Sequence, residues 1–352
     1  MKYRTLGRTG LRVSEVGLGT EHLDQDEKTM SDVLSVAVDS GLTYVDLLYI
    51  DPSGDDLKFW ENFGPALRPH RDKLVLAVHW GGGPRYDLPY CRRTFPEVLR
   101  QIGNDYAEVA IMTMIDEKDR RGEWMERSLE ELHRYREKGH IGYIGGSAHN
   151  PKQALKAVNS GHLDVLMFGF NLTTYDRKSH QALLQACVEK NVGVVVMKPF
   201  SGGTLLNIDG KPTSITPTQC LSYVLSLPVS TTIPGARNAE QMRAALAYCT
   251  ASETERDFGP ALENMYHDLE GHCVYCNHCL PCPEQIDIAS MIMLADWATW
   301  GINDELRDWY ASLSVKASAC IECGNCEERC PFGVDVIAKM RKAAELFETE
   351  AA

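Results

Sequence analysis

Two runs of cysteine near the C-terminus constrain this chain more than any other feature. The runs are Cys273-Val-Tyr-Cys276-Asn-His-Cys279-Leu-Pro-Cys282-Pro283 and Cys320-Ile-Glu-Cys323-Gly-Asn-Cys326-Glu-Glu-Arg-Cys330-Pro331. They hold eight of the twelve cysteines in the 352-residue sequence. In each run three cysteines follow one another at three-residue steps, and a fourth precedes a proline. Thiolates with this spacing on a tight loop can bind the corners of an iron–sulfur cube.

The spacing also predicts how the cysteines are shared between two clusters. The second run has the bacterial ferredoxin spacing C-x2-C-x2-C-x3-C-P, and the first is one residue shorter before its last cysteine. In two-cluster ferredoxins the fourth cysteine of a run binds the other cluster. We therefore predict two 4Fe-4S clusters. The predicted ligand sets are Cys273, Cys276, Cys279 and Cys330 for one cluster, and Cys320, Cys323, Cys326 and Cys282 for the other.

Two other uses of cysteine fit the runs less well. Structural zinc usually takes four ligands as two separated pairs, whereas each run here holds four closely spaced cysteines and ends in Cys-Pro. A disulfide framework is typical of short secreted chains.

Of the four cysteines outside the runs, Cys91 lies in the Gly-rich segment 81–93, which we expect to be a loop, and it is the candidate reactive thiol.

Charge and hydropathy narrow the classes of partner. The formal net charge is −13, which argues against general binding to a phosphate backbone, so no nucleic-acid partner is expected. No stretch of eighteen or more uninterrupted apolar residues predicts a membrane span, and the N-terminal residues hold no apolar run of signal-peptide length. A reducing cytoplasm, where thiolates stay available for metal, is the expected compartment.

Strand-like and helix-like segments alternate up to about residue 255. The predicted strands are Glu15–Gly19, Tyr44–Leu48, Leu74–Val78, Glu108–Thr113, Ile141–Gly145, Val165–Phe170, Val192–Met197 and Val229–Ile233. Eight strands alternating with helices over this length predict an α/β fold of the TIM (β/α)8 barrel type. A doubly wound open sheet is the alternative, but the Gly-rich turn G-x-G-x-x-G expected after its first strand is absent.

The pattern changes near residue 255, so we predict two domains. Residues 1–255 would form the barrel, and residues 256–352 would form a small α-helical, ferredoxin-like dicluster domain around the cysteine runs. Examples of the predicted barrel helices are Lys28–Ser40, Trp124–Lys138, Pro151–Asn159, Ser179–Asn191 and Ala239–Tyr248, and Pro217 after Thr216 is a further predicted helix start. A helical connector is expected between the two runs, near Ile288–Ser312, and a further helix after the second.

Several motifs give the barrel segment a resemblance to the aldo-keto reductase family. In chain order they are Tyr3-Arg-Thr-Leu-Gly-Arg-Thr-Gly-Leu-Arg-Val-Ser, Gly17-Leu-Gly-Thr20, Gly139-His-Ile-Gly-Tyr-Ile-Gly-Gly-Ser147, Met197-Lys-Pro-Phe-Ser-Gly-Gly203 and Ile233-Pro-Gly-Ala-Arg-Asn238. Some members of that family carry a C-terminal ferredoxin-like extension, and this chain resembles that branch. The resemblance implies a barrel that reduces or oxidises a small organic substrate, with NADP(H) as a candidate cofactor beside the clusters.

The resemblance also implies where catalytic residues lie. The family places an Asp, a Tyr, a Lys and a His at the carboxyl ends of the second, third and fourth strands. Asp46 keeps the first role. The Tyr position falls on Asp51, although Tyr49 stands two residues earlier. The Lys position falls on His79 and the His position on Thr113.

These replacements change the expected chemistry. A tyrosine has an ordinary pKa near 10 and is a poor proton donor at neutral pH without a nearby cation. A histidine titrates near neutrality, which makes His79 the alternative proton donor. A hydrogen-bonded histidine with only a structural role at the barrel rim is the other interpretation. The candidate catalytic residues are Asp46, Tyr49, His79 and Thr113.

Further positions match the family's nucleotide site in part. Ala148 and Met167 stand where the family holds the nicotinamide with Asn and Gln. The candidate cofactor-binding residues are Thr20, Ser147, Asn171, Ser201, Gly202, Gly203, Gly235, Arg237 and Gln241. Arg237 is expected to pair with a 2′-phosphate. His22 and His149 follow predicted strands and are each more typical of a structural histidine, and no role is assigned to Lys198.

Two functions remain open from the sequence. The first is an iron–sulfur oxidoreductase in which the clusters pass single electrons to or from a small substrate, with ferredoxin or flavodoxin as a candidate external electron donor. Ordinary NADPH-dependent carbonyl reduction is the alternative within the enzyme class. The second function is a non-catalytic protein that carries electrons or senses redox state.

Overall fold

The computed structural model describes residues 1–48, 56–81, 88–103, 105–115, 124–175 and 177–349. The chain divides into two compact units. One comprises residues 1–202 and 216–258, and the other comprises residues 203–215 and 259–352. Residues 203–215 interrupt the first unit in sequence but group with the second. The predicted domains 1–255 and 256–352 stay predictions.

The first unit is built on an eight-stranded parallel sheet. A hairpin of β1 (Tyr3–Thr5) and β2 (Arg12–Ser14) precedes it. The first seven sheet strands are β3 (Leu18–Gly19), β4 (Tyr44–Leu47), β5 (Val75–Trp80), β6 (Ala107–Met112), β7 (Ile141–Ala148), β8 (Val165–Gly169) and β9 (Gly193–Met197). The eighth is β12 (Thr231–Ile233), because β10 (Asn207–Ile208) and β11 (Lys211–Pro212) form a hairpin in the second unit.

Parallel bridges between Val16 and Thr232 and between Gly19 and Gly235 join the two edge strands, β3 and β12. The predicted barrel is therefore confirmed, and each predicted strand lies within a few residues of an observed one.

Helices surround the barrel strands. They are α1 (Glu27–Asp39), α2 (Asp56–Leu67), α3 (Leu88–Gln101), α4 (Trp124–Glu137), α5 (Pro151–Ser160), α6 (Lys178–Glu189), α7 (Pro217–Ser226), α8 (Ala239–Leu246) and α9 (Glu253–Arg256). The start of α5 follows from local chemistry. Asn150 accepts hydrogen bonds from the N–H groups of Lys152 and Gln153, and Pro151 occupies the first helical position, where no N–H is needed.

The helices α2, α3 and α9 have no counterpart among the examples predicted from the sequence. Two of them, α2 and α3, contain a proline, Pro65 or Pro96, which normally interrupts a helix. The expectation of a loop around Cys91 is wrong, because α3 begins at Leu88 and Cys91 is 0% exposed within it. A fully buried thiol behaves as a small apolar side chain rather than a reactive group.

The hairpin supplies apolar side chains to the barrel core. Leu6 and Val13 are buried with Tyr44, Val109 and other inward-facing strand residues in one cluster. The chain passes very close to β9 at Gly7, where an added Cβ would lie 2.1 Å from the backbone nitrogen of Gly193. Gly7 also has a φ of 51°, so glycine is required there on both counts. This packing fills one end of the barrel and leaves the carboxyl ends of the strands at the other.

The second unit combines a short hairpin with helices. Its elements are β10 (Asn207–Ile208), β11 (Lys211–Pro212), α10 (Gly259–Asp268), α11 (Ile288–Trp297), α12 (Asp304–Ser312), α13 (Asn325–Glu328) and α14 (Val336–Glu348). The predicted helical connector consists of α11 and α12. The segment between α10 and α11 carries the first cysteine run, and residues from the end of α12 to the start of α14 carry the second. Among the described residues, no helix combines the length and apolarity needed to cross a bilayer.

Candidate active site and cysteine cavities

His79 and Asp46 meet at the carboxyl ends of two neighbouring strands. The alternation of a strand decides which way each side chain points. The indole N–H of Trp80 donates to Ser128 Oγ in α4, 3.1 Å away, on the outer side of the sheet. His79, one residue earlier, therefore points inward, where its Nε2 lies 3.2 Å from Asp46 Oδ1. Asp46 and His79 are 3% and 9% exposed, so water screens the pair little.

Thr113 holds the other nitrogen of the ring. Its Oγ1 lies 2.8 Å from His79 Nδ1 and 2.6 Å from the carbonyl oxygen of Gly81. A carbonyl cannot donate, so the threonine hydroxyl gives its single hydrogen to Gly81. The hydroxyl oxygen must then accept from His79, which places a proton on Nδ1.

The position of that proton determines what lies between His79 and Asp46. With Nδ1 protonated, Nε2 and a carboxylate oxygen 3.2 Å apart would both be acceptors unless a second proton lay between them. The pair therefore holds a proton, either as imidazolium with carboxylate or as neutral imidazole with carboxylic acid. A buried, shared proton at a barrel mouth is suited to general acid–base chemistry.

Of the four candidate catalytic residues, the structure brings three together. Asp46, His79 and Thr113 form one hydrogen-bonded chain. Tyr49 lies outside the described residues, as does Asp51. Thr113 follows β6 and contacts the ring rather than the open mouth, so its place is that of a positioning residue.

The side chains of three candidate cofactor-binding residues make hydrogen bonds to backbone groups near the carboxyl ends of the strands. The hydroxyl of Thr20 donates to the carbonyl oxygen of Asp46, 3.0 Å away. Ser147 lies within β7, and its Oγ accepts from the Met114 N–H. Asn171 donates from Nδ2 to the carbonyl oxygen of Lys198 and accepts from Thr173. Cofactor contacts by these three side chains stay predictions.

The other candidate cofactor residues lie in two segments, one after β9 and one from Gly235 into α8. Ser201, Gly202 and Gly203 all have positive φ angles, and an added Cβ on either glycine would meet nothing within 4 Å. This leaves space for a ligand to approach the backbone. In the second segment, which includes Gly235, Arg237 Nη1 lies 3.6 Å from Asp24 Oδ1. Gln241 Oε1 accepts from the Arg237 N–H, so its amide oxygen is already bonded.

The cysteine runs surround two separate cavities in the second unit. One is lined by Cys273, Cys276, Cys279 and Cys330 together with apolar side chains such as Ile292, Phe332 and Val336. The other is lined by Cys282, Cys320, Cys323 and Cys326, with Glu284, Glu322 and Arg329 at its edge. Each cavity thus takes three cysteines from one run and the fourth from the other. These are the groups that the ferredoxin spacing predicts, and their role as ligands stays a proposal.

The donor chemistry suits a cluster better than a single metal ion. Among the described residues, no three His, Cys, Asp or Glu side chains are placed to hold one metal ion. In a cubane each thiolate binds a different iron, so the sulfurs surround a cavity instead of converging on one point. Burial raises the pKa of the Cys273 and Cys279 thiols to about 12, so a bound cation is needed to keep them as thiolates.

The two loops share a backbone pattern around their second cysteines. The residue before it, Tyr275 or Glu322, and the residue after it, Asn277 or Gly324, all have positive φ angles. Such alternation curls the chain around a concavity. The loops differ at His278, whose Nδ1 lies 3.0 Å from Cys276 Sγ.

Comparison with known proteins agrees with both parts of the chain. The profile of the aldo/keto reductase family matches residues 15–219, and that of a 4Fe-4S dicluster domain matches residues 272–335. The chain belongs to the aldo/keto reductase family. The predicted resemblance is confirmed for both segments, and membership of this family supports the prediction of an oxidoreductase.

Individual proteins are also similar to this chain. An uncharacterised oxidoreductase of Bacillus subtilis, YrpG, is 29% identical over 227 residues, which is 58% of this chain and 68% of that protein. L-glyceraldehyde 3-phosphate reductase of Escherichia coli O157:H7 is 25% identical over 225 residues, 58% of this chain and 63% of that protein. The solved aldo-keto reductase AKR11C1 from Bacillus halodurans, in its holo form, superposes with a TM-score of 0.60 and 21% identity, over 75% of this chain and 96% of that one. The last likeness concerns the fold alone.

Three contacts of this aldo/keto reductase were not predicted from the sequence. They are the Gly81 carbonyl that orients Thr113, the approach of Lys198 to His149, and the bond from His278 to Cys276. The first two join residues 32 and 49 positions apart, which no local pattern reports. His278 could have been noticed, because a histidine between two cluster cysteines can donate to their sulfurs.

Proposed function

We propose that this protein is an iron–sulfur oxidoreductase that reduces a small organic substrate at the mouth of its barrel. Electrons come from the dicluster domain, and a proton comes from the pair of His79 and Asp46. The observation that carries the proposal is the buried contact of 3.2 Å between His79 Nε2 and Asp46 Oδ1, with Nδ1 already committed to Thr113.

The pair accounts for the proton that reduction needs. Conversion of a carbonyl to an alcohol takes up two electrons and two protons. The shared proton supplies one, delivered to the substrate oxygen, and solvent supplies the other. Thr113 occupies Nδ1, so the proton that can be released is the one shared between Nε2 and Asp46.

The two cysteine sets account for the electrons. When bound, 4Fe-4S clusters supply electrons one at a time, and two of them hold the pair that a carbonyl requires. Cys273, Cys276, Cys279 and Cys330 would hold one cluster, and Cys282, Cys320, Cys323 and Cys326 the other. In the family, the lysine lowers the pKa of the tyrosine and the histidine orients the substrate while NADPH delivers hydride. The predicted loss of both residues favours electron transfer from the clusters over ordinary NADPH chemistry.

An external protein is the proposed source of electrons. Cys323 is exposed, and its neighbour Ile321 is 60% exposed, which is unusual for an isoleucine. An exposed cluster edge beside an apolar side chain suits transient contact with a small electron carrier such as ferredoxin or flavodoxin.

NADPH-dependent carbonyl reduction is the second candidate. The open backbone around Gly202 and Gly203 favours it. Asp24 argues against NADPH as the cofactor, because its carboxylate already pairs with Arg237 and would repel a 2′-phosphate.

Anaerobic mixing of reduced protein with a panel of aldehydes, ketones and conjugated carbonyl compounds tests the proposal. We expect at least one compound to restore the absorbance of oxidised clusters within seconds. His79→Gln should slow that step by about a hundredfold, as loss of general acid catalysis does. His162→Gln is the matched control, since His162 is exposed and precedes β8 at the opposite end of the barrel. Equal rates for H79Q and the native protein would exclude His79 as the donor, and a panel with no re-oxidant would exclude the function.

A further inference from the structure

The barrel mouth carries a second histidine with a charged partner. Lys198 follows β9, His149 follows β7, and Lys198 Nζ lies 3.2 Å from His149 Nε2. An ammonium group has donors and no acceptor, so Nζ donates and Nε2 accepts. The His149 imidazole is therefore neutral. Although His149 is an exposed residue, desolvation of its ring and the Lys198 charge lower its pKa well below the ordinary value.

The fold fixes the direction in which Lys198 leaves its strand. Lys198 has a φ of 54°, a conformation that residues with a Cβ seldom adopt. Its carbonyl oxygen accepts from the Ser201 N–H at 3.0 Å and from Asn171 Nδ2 at 3.1 Å. Asn171 is held in turn by Thr173. Such conformations persist where the surroundings impose them, and they concentrate at functional sites.

Lys198 has no carboxylate partner among the residues that the structure describes. Two other basic groups near the strand ends, His79 and Arg237, pair with Asp46 and Asp24. Within the described part of the chain, no Asp or Glu oxygen lies within ion-pair distance of Lys198 Nζ. One of its three N–H groups is used by His149, so two remain for a ligand.

Strand order places Lys198 across the mouth from His79. His79 lies on β5 and Lys198 follows β9, and these strands are four apart in the eight-stranded barrel. Four steps in a closed ring of eight is the opposite side. Both residues lie at the carboxyl ends of their strands, so a substrate that spans the mouth would contact both groups.

We propose that Lys198, oriented by His149, binds an oxyanion of the substrate, a carboxylate or a phosphate, while the reducible group faces His79. This assignment rests on the proposed function and deepens it by naming the substrate class as small organic acids or phosphate esters. Both anions accept hydrogen bonds from ammonium groups. The pyrophosphate of a nucleotide has the same chemistry and is the other source of such an anion.

Calorimetric titration of the oxidised holoprotein with inorganic phosphate, and separately with succinate, tests the site. We expect saturable binding that weakens about tenfold or more in Lys198→Met, the loss typical of a hydrogen bond to a charged group. Lys198→Arg should keep most of the affinity, because it keeps the charge. Lys156→Met, an exposed lysine on α5 without a carboxylate partner in the described residues, should bind as the native protein does.

A repeat with saturating NADP⁺ separates the two sources. Phosphate that still binds assigns the site to the substrate, and phosphate that is displaced assigns it to the nucleotide. The proposal is overturned if the native protein binds neither probe, or if K198M binds them as tightly as the native protein. The assay needs no turnover and no reduced cluster, so its result is independent of whether the proposed reduction occurs.

Discussion

The hydroxyl of Thr113 lies 2.8 Å from Nδ1 of His79 and gives its own hydrogen to the carbonyl oxygen of Gly81. A neutral side chain thereby fixes the tautomer of a histidine that contacts a carboxylate. Because the hydroxyl of Thr113 has only one hydrogen, the proton on Nδ1 is a consequence of geometry. The proton between Nε2 and Asp46 is the one available for chemistry.

Replacement of Thr113 by valine should lower activity without removing either charged group. Valine has nearly the same shape but no oxygen, so the Nδ1–H loses its acceptor and the Gly81 carbonyl its donor. We expect the rate of substrate reduction to fall about tenfold to a hundredfold and the free energy of unfolding to fall by about 1–3 kcal/mol. Single-turnover kinetics and chemical denaturation measure the two effects.

Thr113→Ser separates positioning from packing. Serine restores the hydroxyl and removes only a methyl group, so the rate and its pH profile should stay near those of the native protein. A Thr113→Ser variant as slow as Thr113→Val would mean that Thr113 acts through its packing.

The division of cysteines between the two cavities predicts an iron count that distinguishes the two ways of pairing. Cys273 and Cys330 line the same cavity, whereas Cys320 and Cys330 line different ones. The double variant C273S/C330S should lose one cluster and keep about four of about eight irons, while C320S/C330S should lose both. Iron and sulfide analysis after anaerobic purification measures this. If each run held its own cluster, the two results would be exchanged.

His278 should raise the reduction potential of one cluster. A cluster-bound thiolate has no proton, so the contact of 3.0 Å requires the ring Nδ1–H to donate to Cys276 Sγ. Hydrogen bonds to the sulfurs stabilise the reduced, more negative cluster. His278→Leu should therefore shift one of the two midpoint potentials to a more negative value and leave the other unchanged.

An electron paramagnetic resonance titration resolves the two clusters. His267→Leu is the matched control, since His267 is exposed on α10 of the same unit. Unchanged potentials in H278L, or equal shifts in both variants, would contradict the assignment.

Local sequence patterns were sufficient to predict the barrel and the grouping of the cysteines. Alternating strand and helix segments indicate the barrel, and each predicted strand overlaps an observed one, because buried parallel strands are continuous apolar runs. The spacing of the cysteines places each one in its cavity group. Pro65 and Pro96 lie within α2 and α3, where tertiary packing outweighs the cost of proline in a helix.

Contacts between distant residues explain the rest. The expected role of His79 came from its place at a strand end, but the bond that sets its tautomer joins residues 34 positions apart. Lys198 has no sequence signal, since its importance depends on a strained backbone and on the absence of a nearby carboxylate in the described residues. The grouping of residues 203–215 with the second unit likewise depends on packing.

A single turnover under anaerobic conditions and without nucleotide tests the central proposal most directly. The amount of product and the oxidation state of the clusters are determined in the same sample. Protein reduced in both clusters and then freed of reductant should form one product molecule per chain while two clusters return to the oxidised state. Formation of product only when NADPH is added, with the clusters still reduced, would contradict the account.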